Sequence, residues 1–391
     1  MSSEQSFTLA IPDADLDILR KKLELVRLPD ELEDANWDYG VPLADVQRLV
    51  ARWRSGFDWR ATEAKINQLP QFTRDIEVDG FGKLNIHYVH QKSSAPDAIP
   101  LIFIHGWPGH FWEVSKILPL LTSSSEKSPS FHVVALSLPG FGFSEAPKKK
   151  GFSVAQFAEV SHKLMLALGY NEYVAQGGDW GHLAARNMAY KYPEHVKAWH
   201  TNFPFCQPPS PLKNPFLFLR FMVTPFSKRD WAGIHRMMDW VKNGQGYSGI
   251  QQTRPQTHGY SLADSPVSLL AWIYDKLVAW TDDYKWDDDE VLSWVSIYWF
   301  SRAGPAASSR IYAEFHKEPS GVPPYTSVPL GISYFPKEII PVPKLWTRTI
   351  GNVVFDFQHE AGGHFAAYER PEDLVDDLRS MFSKERGLKL F

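Results

Sequence analysis

A chain of 391 residues with 44% hydrophobic and 22% charged side chains can bury a large core and falls outside the disordered and fibrous classes. Its net charge of −4 supplies no strong field for nucleic acid or an anionic membrane. The single cysteine, Cys206, excludes an intramolecular disulfide and points to a reducing compartment, where a small packed side chain is its expected role.

The first ten residues hold neither a basic leader nor an apolar run. No stretch approaches the roughly 20 apolar residues that span a bilayer, so a soluble, cytoplasmic protein without a membrane anchor is expected. Residues 14–25 and 43–57 read as helices, with Arg52, Arg54 and Arg60 interleaved with Trp53, Phe57 and Trp59. Residues 1–70 are too few for a large core of their own and are expected to form an arm packed on a sheet domain. From about residue 72 to 202 short apolar runs alternate with helical patterns. Strands are expected over 83–89, 100–105, 131–138, 172–177 and 196–202, and helices over 111–121, 153–169 and 181–192. Leu101–Ile104 and Val133–Leu136 are continuous apolar runs, which suits strands buried on both faces of a parallel sheet. The alternation predicts an α/β doubly wound domain. Lys148-Lys149-Lys150, between Pro147 and Gly151, is expected to be a solvated loop.

The pattern breaks at Pro208-Pro209-Ser210-Pro211. Residues 206–320 read as mostly helical and hold seven of the fifteen tryptophans. Most of these pack the insertion. A helical insertion over the end of a sheet is also a natural lid, and aromatic lining suits an apolar substrate. Strand patterns return at 330–335 and 350–357, and a helix over 371–385 starts at Pro371. The expected organisation is an arm (1–70), a first part of the sheet domain (71–205), a lid (206–320) and a second part of the sheet domain (321–391).

Within that frame, Gln176-Gly177-Gly178-Asp179-Trp180-Gly181 has the spacing of a nucleophile elbow, with aspartate where serine is usual. A serine attacking saturated carbon would leave an ether that water cannot readily cleave. A carboxylate leaves an ester, whose carbonyl water can attack. Ring opening or displacement at saturated carbon is therefore the expected chemistry; the structural alternative is Asp179 as a helix N-cap. His105-Gly106-Trp107-Pro108-Gly109, after the run Leu101–Ile104, would donate a backbone N–H to an oxyanion hole, with Trp180 supplying the second. His105 itself is expected to be structural. The base should be a histidine on a loop after the last strand. His364, in Gly362-Gly363-His364-Phe365, ranks ahead of His359. The acid that orients it should follow an earlier strand: Glu338, 26 positions before His364, is favoured over Asp356. An alkoxide leaving group needs a proton, and tyrosine can donate one. Tyr247 and Tyr312 stand out by context among 15 tyrosines, with interfacial packing as the alternative role.

Taken together these segments resemble a microsomal-type epoxide hydrolase of the fungal soluble kind, in the α/β-hydrolase superfamily. The arm (Phe7–Pro12, Arg27-Leu28-Pro29 and Phe57-Asp58-Trp59-Arg60) is similar to the family's N-terminal extension. Ser137-Leu138-Pro139-Gly140-Phe141-Gly142-Phe143-Ser144 is similar to its loop after the oxyanion strand. Thr253-Arg254-Pro255-Gln256-Thr257 and Asp264-Ser265-Pro266-Val267 through Ala271-Trp272 are similar to its lid segments. The resemblance implies a mostly parallel eight-stranded sheet flanked by helices. It also implies Asp179 as nucleophile, Glu338 as acid, His364 as base, and Tyr247 and Tyr312 on the epoxide oxygen. Trp107 and Trp180 would supply the oxyanion hole, with Trp107–Pro108 a candidate cis bond. No metal and no cofactor is implied. The partners implied are a small apolar or aryl epoxide and water. A haloalkane or haloacid dehalogenase would share the aspartate but leave the tyrosines idle. A non-catalytic ligand-binding receptor on the same scaffold would have no use for the triad. The motifs do not fix oligomeric state; a homodimer is one option.

Overall fold

The computed structural model describes residues 3–124, 128–318 and 322–383. Nine strands are present: β1 (Gln5–Ser6), β2 (Gln71–Val78), β3 (Gly82–Gln91), β4 (Ile99–Ile104), β5 (Phe131–Leu136), β6 (Tyr173–Gly177), β7 (Val196–Thr201), β8 (Thr326–Tyr334) and β9 (Gly351–Gln358). They form one sheet in the order β1-β2-β3-β5-β4-β6-β7-β8-β9. The six strands from β5 to β9 in that order run parallel. Strands β3, β2 and β1 continue the sheet antiparallel. This is the expected eight-stranded, mostly parallel sheet, with the two-residue β1 of the arm added at its edge.

Burial explains which strands were readable. In β4 every residue from Leu101 to Ile104 is buried, and β6 is buried throughout. Strand β2 was not anticipated. Its Ile76 and Val78 face the core while Glu77 faces solvent, a two-residue alternation in place of an apolar run. The helix expected over 111–121 is instead a 3-10 turn (Phe111–Ser115) and a short helix (Leu118–Thr122). Pro119 is the reason: without an N–H it sits at the start of a new helix and cannot extend the previous turn.

The order β5-β4-β6 matters for function. After β4 the chain crosses to one side to make β5, then returns to the other side to make β6. The loops at the carboxyl ends of β4 and β6 therefore diverge and leave a crevice, the place where open α/β sheets bind ligands. Among the described residues, seven α-helices lie between β7 and β8 at Pro215–Val223, Lys228–Asp239, Gly246–Thr253, Pro255–Asp264, Pro266–Ala279, Asp288–Trp299 and Arg310–Lys317. The arm has helices at Asp13–Glu24, Leu43–Ser55 and Trp59–Ile66, the last capped by the Asp58 carboxylate on Ala61 N–H at 3.1 Å. Beyond its strand in the sheet, the arm also packs on the helical insertion. Trp59 meets Phe300 at 4.9 Å between ring centroids, and Arg52 pairs with Asp289 at 2.8 Å. Among the described residues no helix is long and apolar enough to cross a membrane.

Candidate active site

Strand β6 ends at Gly177 and the next helix begins at Trp180, so Asp179 sits on the sharp turn between them. Its φ of 50° lies in the left-handed region, unusual for a residue with a side chain and worth about 1–3 kcal/mol of strain. Close packing fixes the turn: a Cβ at Gly181 would lie 1.9 Å from the Ile104 carbonyl oxygen, so only glycine lets the helix start against the end of β4. The Asp179 side chain makes no helix-capping bond. Its Oδ1 accepts the Trp107 backbone N–H at 2.7 Å, and the Trp180 N–H also donates to the carboxylate. Burial raises the Asp179 carboxyl above its ordinary range, while His364 and the two N–H groups pull it down. The Trp107–Pro108 peptide bond is cis.

The loop after β9 and the loop after β8 reach the same point. His364 Nε2 lies 3.6 Å from Asp179 Oδ2, and its Nδ1 hydrogen-bonds Glu338 Oε1 at 2.6 Å. The Ile339 N–H donates to the same Glu338 oxygen at 2.6 Å. The helical insertion pins both loops from above. The His364 N–H donates to the Trp280 carbonyl at 2.8 Å, the Gly362 N–H to Asp282 Oδ2 at 2.8 Å, and Arg236 Nε to the Glu338 carbonyl at 2.8 Å. Burial by itself would lower the His364 imidazole. The charge and hydrogen bond of Glu338, with the charges of Asp179 and Glu113, instead raise it to about 9. At neutral pH the ring therefore carries a proton, and it lies between the Asp179 and Glu338 side chains.

Tyr247 and Tyr312 are both buried and come from different helices of the insertion. Tyr247 stacks on the Trp107 indole at 5.2 Å, and Tyr312 stands edge-on to Trp180 at 4.8 Å. The two phenols thus cover the residues whose N–H groups hold Asp179. Burial, with the nearby negative charges, pushes both well above the usual tyrosine value, so they remain proton donors through the neutral range.

The competing candidates lie elsewhere. His359 bonds Asp377 at 2.7 Å and stacks on Phe335. Asp356 pairs with Lys344 and, at 3.6 Å, with Arg348. His105 is structural as expected: its Nε2 accepts the Leu138 N–H at 3.1 Å, and burial lowers it to about 4. Cys206 is buried, which pushes its thiol up to about 12. Lys148, Lys149 and Lys150 are exposed.

Beneath Asp179 lies a cavity of about 20 Å³ lined by Trp107, Glu113, Gln176, Asn202 and His364 among others. Glu113, Gln176 and Asn202 were not anticipated. The one available sequence signal was a carboxylate inside the apolar stretch Phe111-Trp112-Glu113-Val114. Among the described residues no cluster of His, Cys, Asp and Glu is placed to hold a metal ion.

Residues 4–114 match the family model described as Epoxide hydrolase N terminus, and residues 99–227 match that of the alpha/beta hydrolase fold. The chain is 34% identical over 414 residues to Epoxide hydrolase 1 of Sus scrofa, covering 96% of this chain and 88% of that one. This chain belongs to the epoxide hydrolase family. It is therefore an enzyme of the hydrolase class. Among solved structures, Aspergillus niger epoxide hydrolase superposes with a TM-score of 0.84 at 34% identity, covering 97% of this chain and 96% of that one. The juvenile hormone epoxide hydrolase of the silkworm Bombyx mori superposes at 0.89 with 27% identity, covering 100% and 96%. The α/β-hydrolase fold that the resemblance implied is thus shared with solved epoxide hydrolases over nearly the whole chain.

Proposed function

We propose that this epoxide hydrolase converts an apolar or aryl epoxide to a vicinal diol through an alkyl ester of Asp179. In the first step an Asp179 carboxylate oxygen bonds a ring carbon and the C–O bond of the epoxide breaks. Tyr247 and Tyr312 hydrogen-bond the departing oxygen and protonate it. A buried phenolate is costly, so the proton is restored from the His364 imidazolium. Esterification removes the Asp179 charge that helped to hold that proton. His364 is then neutral, as a base must be. In the second step water bonds Asp179 Cγ and gives a proton to His364 Nε2. The tetrahedral oxyanion is held by the Trp107 and Trp180 N–H groups, each typically worth about 3 kcal/mol. Collapse breaks the bond to the alkyl oxygen, which takes the proton from His364. The Asp179 carboxyl proton returns to the ring and regenerates the resting ion pair.

The observation that carries this reading is a carboxylate at an elbow, its Oδ1 held at 2.7 Å by a backbone N–H and its Oδ2 3.6 Å from the base. Two buried phenols from the insertion support it, because a halide would need no proton. Residues 206–320 act as the lid and 1–70 as the arm, on a sheet domain made of 71–205 and 321–391. The buried Cys206 suits a reducing, cytoplasmic setting. His364→Gln mixed with styrene oxide should gain the mass of one substrate molecule, located on Asp179 by peptide mapping. Steady diol release with no adduct would overturn the assignment.

A further inference from the structure

Resting on the alkyl-ester reading above, we infer that Glu113 is a positioning residue of the second half-reaction, holding the water that cleaves the Asp179 ester. Glu113 lies on the 3-10 turn Phe111–Ser115, at the end of the same loop that brings the Trp107 N–H to Asp179. It is 9% exposed, an unusual place for a carboxyl group that makes no ion pair among the described residues. The loop is shaped to admit it: a Cβ at Gly109 would lie 1.6 Å from Glu113 Oε1, so the carboxyl occupies the space a side chain would need. The His110 backbone N–H donates to it, yet burial still raises the carboxyl to about 8, with His364 and Asp179 as its nearest charged influences.

The cavity that Glu113 shares with Asp179 and His364 measures about 20 Å³. About 10–15 Å³ suffices for one water, provided polar partners surround it. A second observation points to an occupant. Gln176 lines the same cavity, is 1% exposed, and gives its Nε2 to Asn202 Oδ1 at 2.9 Å. Its Oε1 is buried with no partner among the described residues. A water here satisfies that oxygen in the resting enzyme. Once the ester has formed and His364 is neutral, the water's two hydrogens go to His364 Nε2 and to a Glu113 carboxyl oxygen. A lone pair is left facing Asp179 Cγ. One water hydrogen passes through His364 to the leaving alkoxide, and Glu113 keeps its protonation state throughout.

Glu113→Leu and Glu113→Gln separate this role from a structural one. Single-turnover mixing with styrene oxide reads two rates, adduct formation by intact mass and adduct loss by diol release. In Glu113→Leu the adduct should form at a rate within a few-fold of the unaltered enzyme, while its hydrolysis slows about 10²-fold, the usual cost of a misplaced reactant. Glu113→Gln keeps an acceptor oxygen of the same reach and should recover at least a tenfold part of that loss. Hydrolysis at the unaltered rate in Glu113→Leu overturns the inference. So does an equal fall of both rates, which would make Glu113 part of the packing alone. Failure of the ester reading itself is visible separately, as the absence of any adduct on His364→Gln.

Discussion

Asp179 combines two costly features, a left-handed backbone held by the close packing at Gly181 and a buried carboxyl whose burial is partly offset by backbone N–H groups and the His364 charge. In the proposed mechanism the phenols opposite have a different task. Tyr247→Phe or Tyr312→Phe removes one of two donors, and ring opening should slow by about 10²–10⁴-fold in stopped-flow adduct formation, with ester hydrolysis little changed. His364 gives a pH signature. Its pKa is raised from 6.5 to about 9 in the folded chain, so the stability its pairing supplies is fully present below 6.5 and is lost as pH rises through 9. Urea midpoints should fall across that window, and less so in His364→Gln; identical slopes in the two proteins would refute the ion pair. That Asp179, Glu338 and His364 meet was legible because each sits in a local motif in a fixed chain order. His359 and His364 could not be separated by residue type. What separates them is the partner, Asp377 for one and Glu338 for the other. For Glu113 the sequence offers only a carboxylate inside an apolar stretch; its place beneath Asp179 comes from the fold.

Elements whose burial is uniform announce themselves. Strand β4 is apolar throughout and β6 is buried throughout, and their carboxyl ends carry the two loops that meet at Asp179. Strand β2 is less legible because its burial is mixed, with Glu77 exposed between the buried Ile76 and Val78, and the helix expected over 111–121 is divided at Pro119. The most constrained junction is between the β6 helix and β4. Gly181→Ala places a methyl group 1.9 Å from the Ile104 carbonyl oxygen if nothing moves. Backbone atoms cannot swing aside as a side chain can, so a loss of about 1–3 kcal/mol in denaturant unfolding is expected, together with a weakened Trp107–Asp179 bond. Full stability would mean that the elbow is looser than this packing implies.

At the scale of the molecule, composition announced the break between sheet and insertion through its prolines and tryptophans. It could not show that the arm grips that insertion as well as the sheet, because the pairing of Arg52 with Asp289 joins residues 237 positions apart. That grip, with the ties from Trp280 and Asp282 to the loop of His364, holds the insertion and its Tyr247 and Tyr312 over the elbow. The fate of one oxygen atom is decisive for the chemistry proposed there. If Asp179 forms an ester that water opens at Cγ, a single turnover with enzyme in excess in heavy-oxygen water should place the label in the Asp179 carboxylate and leave the first diol unlabelled. Label in that first diol, with the Asp179 peptide unlabelled, would contradict the account.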